Sequence, residues 1–598
     1  MINKNLTSWT YDDATMRNLA LFANFMDEMA FNYTTDSFKA SALNVVSLIE
    51  ETYTVVTEVQ EGLMKEATLD PLIKELHMAL NHDKLFAKVL EDKNLTYLLQ
   101  ELKDVKHTSA FSRALHIIII QNLAIPYYEE VKKVIVDLVK TNSKQRKFLY
   151  DRCRDLYTGL KIIGFSDDYI YFANRDFFYS NKKISDANQI EQYFKLFDKG
   201  LQQYVVYLIA NPIFKNLKDV LAEKGVDVIE ELALDDKDKK VSKFKHAKSG
   251  NNIFLKLTVD AYDAYKAREL ALTSISETAR LFMFFNHKSN MKLHPYSLVV
   301  NINDLSLDII KPSLKYMVRC KDNRVPKAND KFKEAYSKMS FTPESKRRIM
   351  NSLELHKAAL ESDNINNQLA NLFTSLEVMI PKDADSGNDR IVQIRNVLVP
   401  YLCIGYYPKL VESVLSSLFV WNKTFISKVL DKVAEGDNYQ EKLVSLIVLA
   451  KYYDNTKATE LPYNELKNKL FGDKYFSMLI RLDYMHSILH SFENLYETLK
   501  LHEKRVAWHI DRIYRTRNRT VHAGSTPVYM GTLIGNVHSY YDVLINQLLI
   551  DNINHHFEDV KIAYHYCQLK KIAYQKFLQE NKGKDIDEKN IIKAVFFK

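Results

Sequence analysis

What most limits the folds open to this chain is how seldom it can be broken. It holds 14 glycines and 12 prolines in 598 residues, about 2% each, where ordinary usage is about 7% and about 5%. Sheet corners and tight turns draw on those two residues for their unusual backbone angles. So sparse a supply favours long helices over strand-and-turn architecture. A chain this long exceeds what one core can serve, and roughly two to four domains are expected. The expected fold class is mostly α, a multi-domain helical protein.

Patterning divides the chain further. From about Asp12 to Leu234 apolar residues recur three and four apart, as in "MRNLALFANFMDEMAF" and "YYEEVKKVIVDLVK", the helical period. Residues 1–234 are therefore read as an N-terminal helical domain, with "YIYFANRDFFYSN" (Tyr169–Asn181) open to either a hairpin or a helix–loop. Residues 235–252, "DDKDKKVSKFKHAKSGNN", carry dense charge and little to bury, the mark of a solvated linker. Residues 253–340 form a small mixed α/β insert: strand "NIFLKLTV", helix "DAYDAYKARELALTSISETARLFMFF", strand "PYSLVVNI". Residues 341–598 return to helix, opening at "TPESKRRI" with Thr342 as N-cap and Pro343 at the first helical position.

A net charge of +8 permits a polyanionic partner without requiring one. Cys153, Cys320, Cys403 and Cys567 stand singly, with no CxxC pair and no His/Cys ligand spacing. Reduced thiols, a cytoplasmic location and no structural zinc are expected. His486 and His490 have metal-pair spacing but no glutamate or third ligand beside them. The most apolar run, "LHIIIIQNLAIPYY" from Leu115, is interrupted by polar residues and far shorter than a bilayer span. No signal peptide and no membrane association are expected.

One stretch carries chemistry: "RIYRTRNRTVHAGST", Arg512–Thr526. Placed on a helix from Glu503, Val506, Ile510, Ile513 and Arg517 form one stripe, so a guanidinium takes a position that earlier turns give to apolar side chains. That is costly unless an anion or firm acceptor meets it. Arg505, Arg512, Arg515 and Arg519 gather on another face, read as solvated or facing an RNA backbone. His522 lies about 140° round a continuous helix from Arg517, so the two converge only if the helix loosens or ends before His522. Gly524 and Pro527 supply such an ending. With Asp511 as the sole acid from Arg505 to Thr526, a two-metal phosphodiesterase is disfavoured. Metal-free RNA cleavage fits: a histidine moves the ribose 2′-hydroxyl proton while an arginine holds the phosphate.

The same stretch, "RNRTVHAG", with Asn518 after the arginine, resembles the HEPN superfamily. Upstream "NQLANLFTSLEVMIPK", with Leu376 and Glu377, is similar to the first helix of its Apea-like, abortive-infection branch, and "DRIVQIRNVLVPYL" also fits. The likeness covers roughly residues 344–556. Arg280/His287 and Arg481/His486 share the bare spacing but lack that context. The resemblance implies a C-terminal HEPN-type helical bundle and a homodimer formed through it. It implies a metal-independent endoribonuclease leaving 2′,3′-cyclic phosphates, and a toxin role in anti-phage defence. Arg517, Asn518 and His522 would be the catalytic set, with Glu377 supporting. No cofactor and no metal are expected. The substrate would be RNA, tRNA or another cellular or phage species, and the N-terminal region would meet a phage trigger or regulator. Gly524 stands where toxins regulated by tyrosine modification carry Tyr. Two rival readings are an inactive RNA- or nucleotide-binding HEPN module and a helical scaffold whose Arg–His pair is only a cap.

Overall fold

The scarcity of chain-breakers is realised as helix. The computed structural model describes residues 9, 13–31, 44–90, 115–116, 123–180, 184–288, 291–311, 323–362, 364–382, 389–449, 462–473, 475–523 and 526–597. The N-terminal part holds α1 (Asp13–Phe31), α2 (Val45–Gln60), α3 (Leu69–His82), α4 (Lys84–Leu90), α5 (Ala124–Lys140), α6 (Arg146–Ile163), α7 (Asp167–Phe178) and α8 (Gln189–Phe194). A mixed unit follows: β1 (Gln202–Ala210), α9 (Lys218–Glu223), β2 (Val226–Ile229), α10 (Lys239–His246), β3 (Ile253–Ala261), α11 (Ala264–Phe285), β4 (Leu293–Asn301) and β5 (Leu307–Ile310). Beyond α12 (Val325–Lys338) come α13 (Pro343–Glu361), α14 (Ile365–Met379), α15 (Arg390–Ile404), α16 (Tyr406–Asp431), α17 (Tyr439–Val448) and α18 (Pro462–Gly472). The last helices are α19 (Phe476–Leu489), α20 (Phe492–Ala523), α21 (Met530–His555), α22 (Val560–Glu580) and α23 (Ile591–Phe596). The fold is mostly helical, with a small antiparallel sheet.

The mixed unit begins earlier than its expected boundary at residue 253. Its five strands run in the order β2-β3-β1-β4-β5, every pair antiparallel, so β1 and β2 belong to the sheet and not to a helical N-terminal domain. The reason is burial on both faces. Val206, Leu208 and Ala210 of β1 point toward α11 and its Ala267, Ala271 and Ile275, while Tyr207 and Ile209 point to the opposite face. Alternate side chains leave a strand in opposite directions, and when both sides are covered the run "VVYLIA" loses the polar beat that marks a strand. The charged stretch is likewise more than a linker. Asp238 caps α10 by accepting from the Lys240 N–H, and Val241 and Phe244, three apart, seal that second face of the sheet.

Elsewhere local chemistry predicts local structure well. Thr342 accepts from the Ser345 N–H, with Pro343 at the first helical position. Of Tyr169–Asn181, the described residues to Ser180 take the helix–loop alternative: Ser166 caps α7 by accepting from the Tyr169 N–H. Cys153, Cys403 and Cys567 are buried and free; Cys320 and most of the Leu115 run lie outside the described residues. Among the described residues no helix is long and apolar enough to cross a membrane.

Two large cores meet where the candidate site lies. One fills the C-terminal helices from Ile349 to Val595; the other fills the N-terminal helices and takes in Phe476 of α19. Helix α20, 32 residues and so about 48 Å long at about 1.5 Å per residue, runs along this junction.

Candidate functional site

Helix α20 begins its site-bearing half as an ordinary core helix. Val506, Ile510 and Ile513 are buried at steps of four and three, and Arg517 takes the next place in the stripe. Its side chain is 25% exposed. Nη1 donates to Asn518 Oδ1 at 3.1 Å, and Nη2 lies 3.7 Å from Glu377 Oε2 on α14. Nε is buried without a hydrogen-bond partner. The guanidinium is oriented but not saturated.

Glu377 is placed by how α14 ends. The last carbonyls of a helix have no partners within it and carry partial negative charge. Arg390 donates to the carbonyls of Glu377 and Ile380, and Arg348 reaches the Val378 carbonyl at 3.5 Å. Burial pushes the Arg390 guanidinium below its ordinary value, against the attraction of Glu377. Three arginines thus surround one helix end, and Arg517 is held there by a side chain rather than by carbonyls.

The other arginines of the stretch are not solvated. Arg512, Arg515 and Arg519 are 0%, 2% and 8% exposed, and α2 and α3 meet them with acids. Arg512 Nε donates to Glu51 Oε2 at 2.8 Å and its Nη2 to Glu75 Oε2 at 2.6 Å. Arg515 Nη2 donates to Glu51 Oε1 at 2.9 Å, and Arg519 Nε to Glu58 Oε1 at 2.7 Å. Burial by itself would raise the Glu51 carboxyl, but the Arg512 and Arg515 guanidiniums hold it at about 2. Glu75 moves the other way, because burial and the nearby Glu51 charge outweigh its pairing with Arg512. His509, buried beside Arg512, is pushed down to about 3 and so stays neutral. Its Nδ1 lies 2.8 Å from Tyr540 Oη. The reading of Arg512, Arg515 and Arg519 as an RNA-facing surface is therefore corrected: three buried cations face three acids, with no free charge turned outward. Arg505, about two turns earlier on α20, is partly exposed.

The helix does not end before His522. It continues to Ala523, so the backbone sites of Arg517 and His522 stay about 140° apart around the axis. The helix ending expected before His522 is not formed. The His522 side chain and Gly524 lie outside the described residues. After the helix, Thr526 Oγ1 donates to Asn366 Oδ1 at 3.0 Å, tying the returning chain to the start of α14, which Asn364 caps. Of the expected set, Arg517, Asn518 and Glu377 are brought together.

A second constellation escaped the sequence reading. His356 of α13 and His538 and Asp542 of α21 offer nitrogen and oxygen atoms all within 4.8 Å of one another, the one such group of three among the described residues. Burial and the neighbouring His538 push His356 below the ordinary histidine value. The His538-x3-Asp542 spacing was available as a signal; the approach of His356, on a separate helix, was not. The His486/His490 pair is stacked at 5.3 Å, with His486 Nδ1 at 2.9 Å from the Ile447 carbonyl, a packing arrangement.

No protein-family model matches the chain, and neither a curated protein nor a solved structure matches it.

Proposed function

We propose that this chain is a metal-independent endoribonuclease of the HEPN kind, acting in the cytoplasm as an abortive-infection effector against phage. Arg517 grips the scissile phosphate, and Asn518 and Glu377 aim the guanidinium. The ribose 2′-hydroxyl attacks phosphorus, the bond to the 5′-oxygen breaks, and a 2′,3′-cyclic phosphate remains. One copy's His522 takes the 2′-hydroxyl proton, and His522 of the partner subunit protonates the leaving oxygen, so a homodimer supplies both transfers. The single observation in favour is the state of Arg517. It is the one arginine from Arg512 to Arg519 without a close carboxylate, its nearest acid being 3.7 Å away. An incompletely paired guanidinium suits bidentate capture of a phosphate.

One observation favours a second reading, an RNA- or nucleotide-binding module without catalysis: α20 runs unbroken through His522, keeping it off the Arg517 face of its own chain. Expressing the full chain beside His522→Ala and Arg517→Ala separates the two. The nuclease predicts RNA cleavage that EDTA does not stop, cyclic-phosphate ends, and loss in both variants. The binding module predicts RNA affinity kept in His522→Ala and no fragments from any of the three.

A further inference from the structure

We propose that His356, His538 and Asp542 bind one divalent ion of the zinc class, fastening α13 to α21. The site is separate from Arg517 and does not depend on the proposed nuclease activity.

The argument begins with α21. His538 and Asp542 are one turn apart and share a face, with His538 Nδ1 at 3.2 Å from Asp542 Oδ2. From α13 the His356 ring comes to 4.9 Å from the His538 ring, tilted by 33°. That ring is not loose. It stacks on Tyr541 at 4.8 Å and 11°. The Tyr541 hydroxyl meets Ser352 Oγ at 2.9 Å, one turn before His356, and Ser352 also donates to the Ser375 carbonyl of α14. Three helices therefore fix where the imidazole points. Its Nε2 is buried and has no hydrogen-bond partner, an uncommon condition for a buried polar atom. A ligand-accepting ion would resolve it.

The donor set selects the ion. Two imidazole nitrogens and one carboxylate oxygen suit zinc and its first-row neighbours. Calcium and magnesium want more oxygens than one carboxylate supplies. Tetrahedral bonds of about 2.0–2.1 Å place ligand atoms about 3.4 Å apart, so a spread of up to 4.8 Å must tighten. Asp542, with a side chain 41% exposed against 9% for His538, is the member with open space around it, and the one whose inward rotation would close the set. Its exposed side also leaves room for a water as fourth ligand.

The test titrates metal-free full-length protein with zinc chloride by calorimetry and with cobalt(II) chloride by absorption. His356→Gln and Asp542→Asn are compared with wild type, and His490→Gln serves as control. These replacements spare the more deeply buried His538. The expected result is one ion per chain in wild type and control, binding weakened more than about 100-fold in each site variant, and a zinc-dependent rise in Tm lost with it. Matching circular dichroism of the metal-free proteins separates lost ligation from lost fold. Wild type without stoichiometric binding, or site variants that bind as wild type does, overturns the proposal and leaves a His538–Asp542 contact beside a stacked ring.

Discussion

Replacing Glu51 by Gln should loosen the junction between the N-terminal helices and α20. The carboxylate is 4% exposed and accepts from both Arg512 and Arg515. It is held at about 2 against an ordinary 4.5. At about 1.4 kcal/mol per pH unit, that displacement corresponds to about 3 kcal/mol. An independent route agrees, since removing one partner from a buried ion pair costs about 3–5 kcal/mol, much of it the stranding of the charge left behind. Arg512 Nη1 and Arg515 Nε and Nη1 already lack partners, so no spare acceptor offsets the loss. A chain with several cores does not unfold in two states, and hydrogen exchange read peptide by peptide is the proper assay. Glu51→Gln should raise exchange in α2 and the second half of α20 by roughly 100-fold, the equivalent of about 3 kcal/mol, and leave α22 and α23 unchanged. Adding Arg515→Met to Glu51→Gln should cost less than the sum of the single changes, because it removes the stranded cation. A rise below about fivefold, or strictly additive single and double variants, would refute the view that this seam holds the two parts together.

Glu75→Gln should cost clearly less than Glu51→Gln in the same exchange experiment, because burial already raises Glu75 toward its neutral form. Acid should act through Glu51: its depressed carboxyl contributes stability above about 4.5 that is lost as pH falls toward about 2, so α2 and α20 exchange should accelerate across that window in wild type and much less in Glu51→Gln. Arg517→Ala should change local stability by no more than about 1 kcal/mol, since its ion contact is long and partly exposed; a rise in α20 hydrogen exchange as large as that of Arg512→Ala would count against a functional role. Thr342→Ala should remove the α13 cap and cost about 1 kcal/mol, seen as faster exchange at the first turn of that helix.

How much of this could be read beforehand depended on where each partner lay. The Thr342–Pro343 start of α13 rests on a cap three residues away, and β3 and β4, though both pair with the distant β1, carry enough apolar and β-branched pattern within themselves to be read locally. Strand β1 reads as part of a helical region because Tyr207 and Ile209 are buried along with Val206 and Leu208, and burial on both faces erases alternation. Helix α10 was hidden because two apolar residues suffice to seat it while its lysines remain in water. Arg512, Arg515 and Arg519 looked like a wet face because polarity is all a sequence displays at an arginine. Glu75, which makes Arg512 part of a core, is 437 residues away. His356 and His538 raise the same difficulty in a smaller form.

The arginines of α20 divide by angle rather than by chemistry. Counted from Arg512, Arg515 and Arg519 fall within about 60° of it, whereas Arg517 lies about 140° round. The N-terminal acids Glu51, Glu58 and Glu75 therefore grip one side of the helix, and the end of α14, with Glu377, closes on another. This separation bears on how a large N-terminal region could govern a site at Arg517. Its glutamates do not sit on that guanidinium as a decoy for phosphate; they are used up on the neighbouring face. Control through the seam must instead act by seating α20, since moving α2 would strand Arg515 and Arg519, leave Arg512 with Glu75 alone, and shift the helix that carries Arg517 and Asn518 against α14. A regulator that only covered Arg517 would leave exchange at Glu51 untouched, whereas one that acted through the seam would change both together.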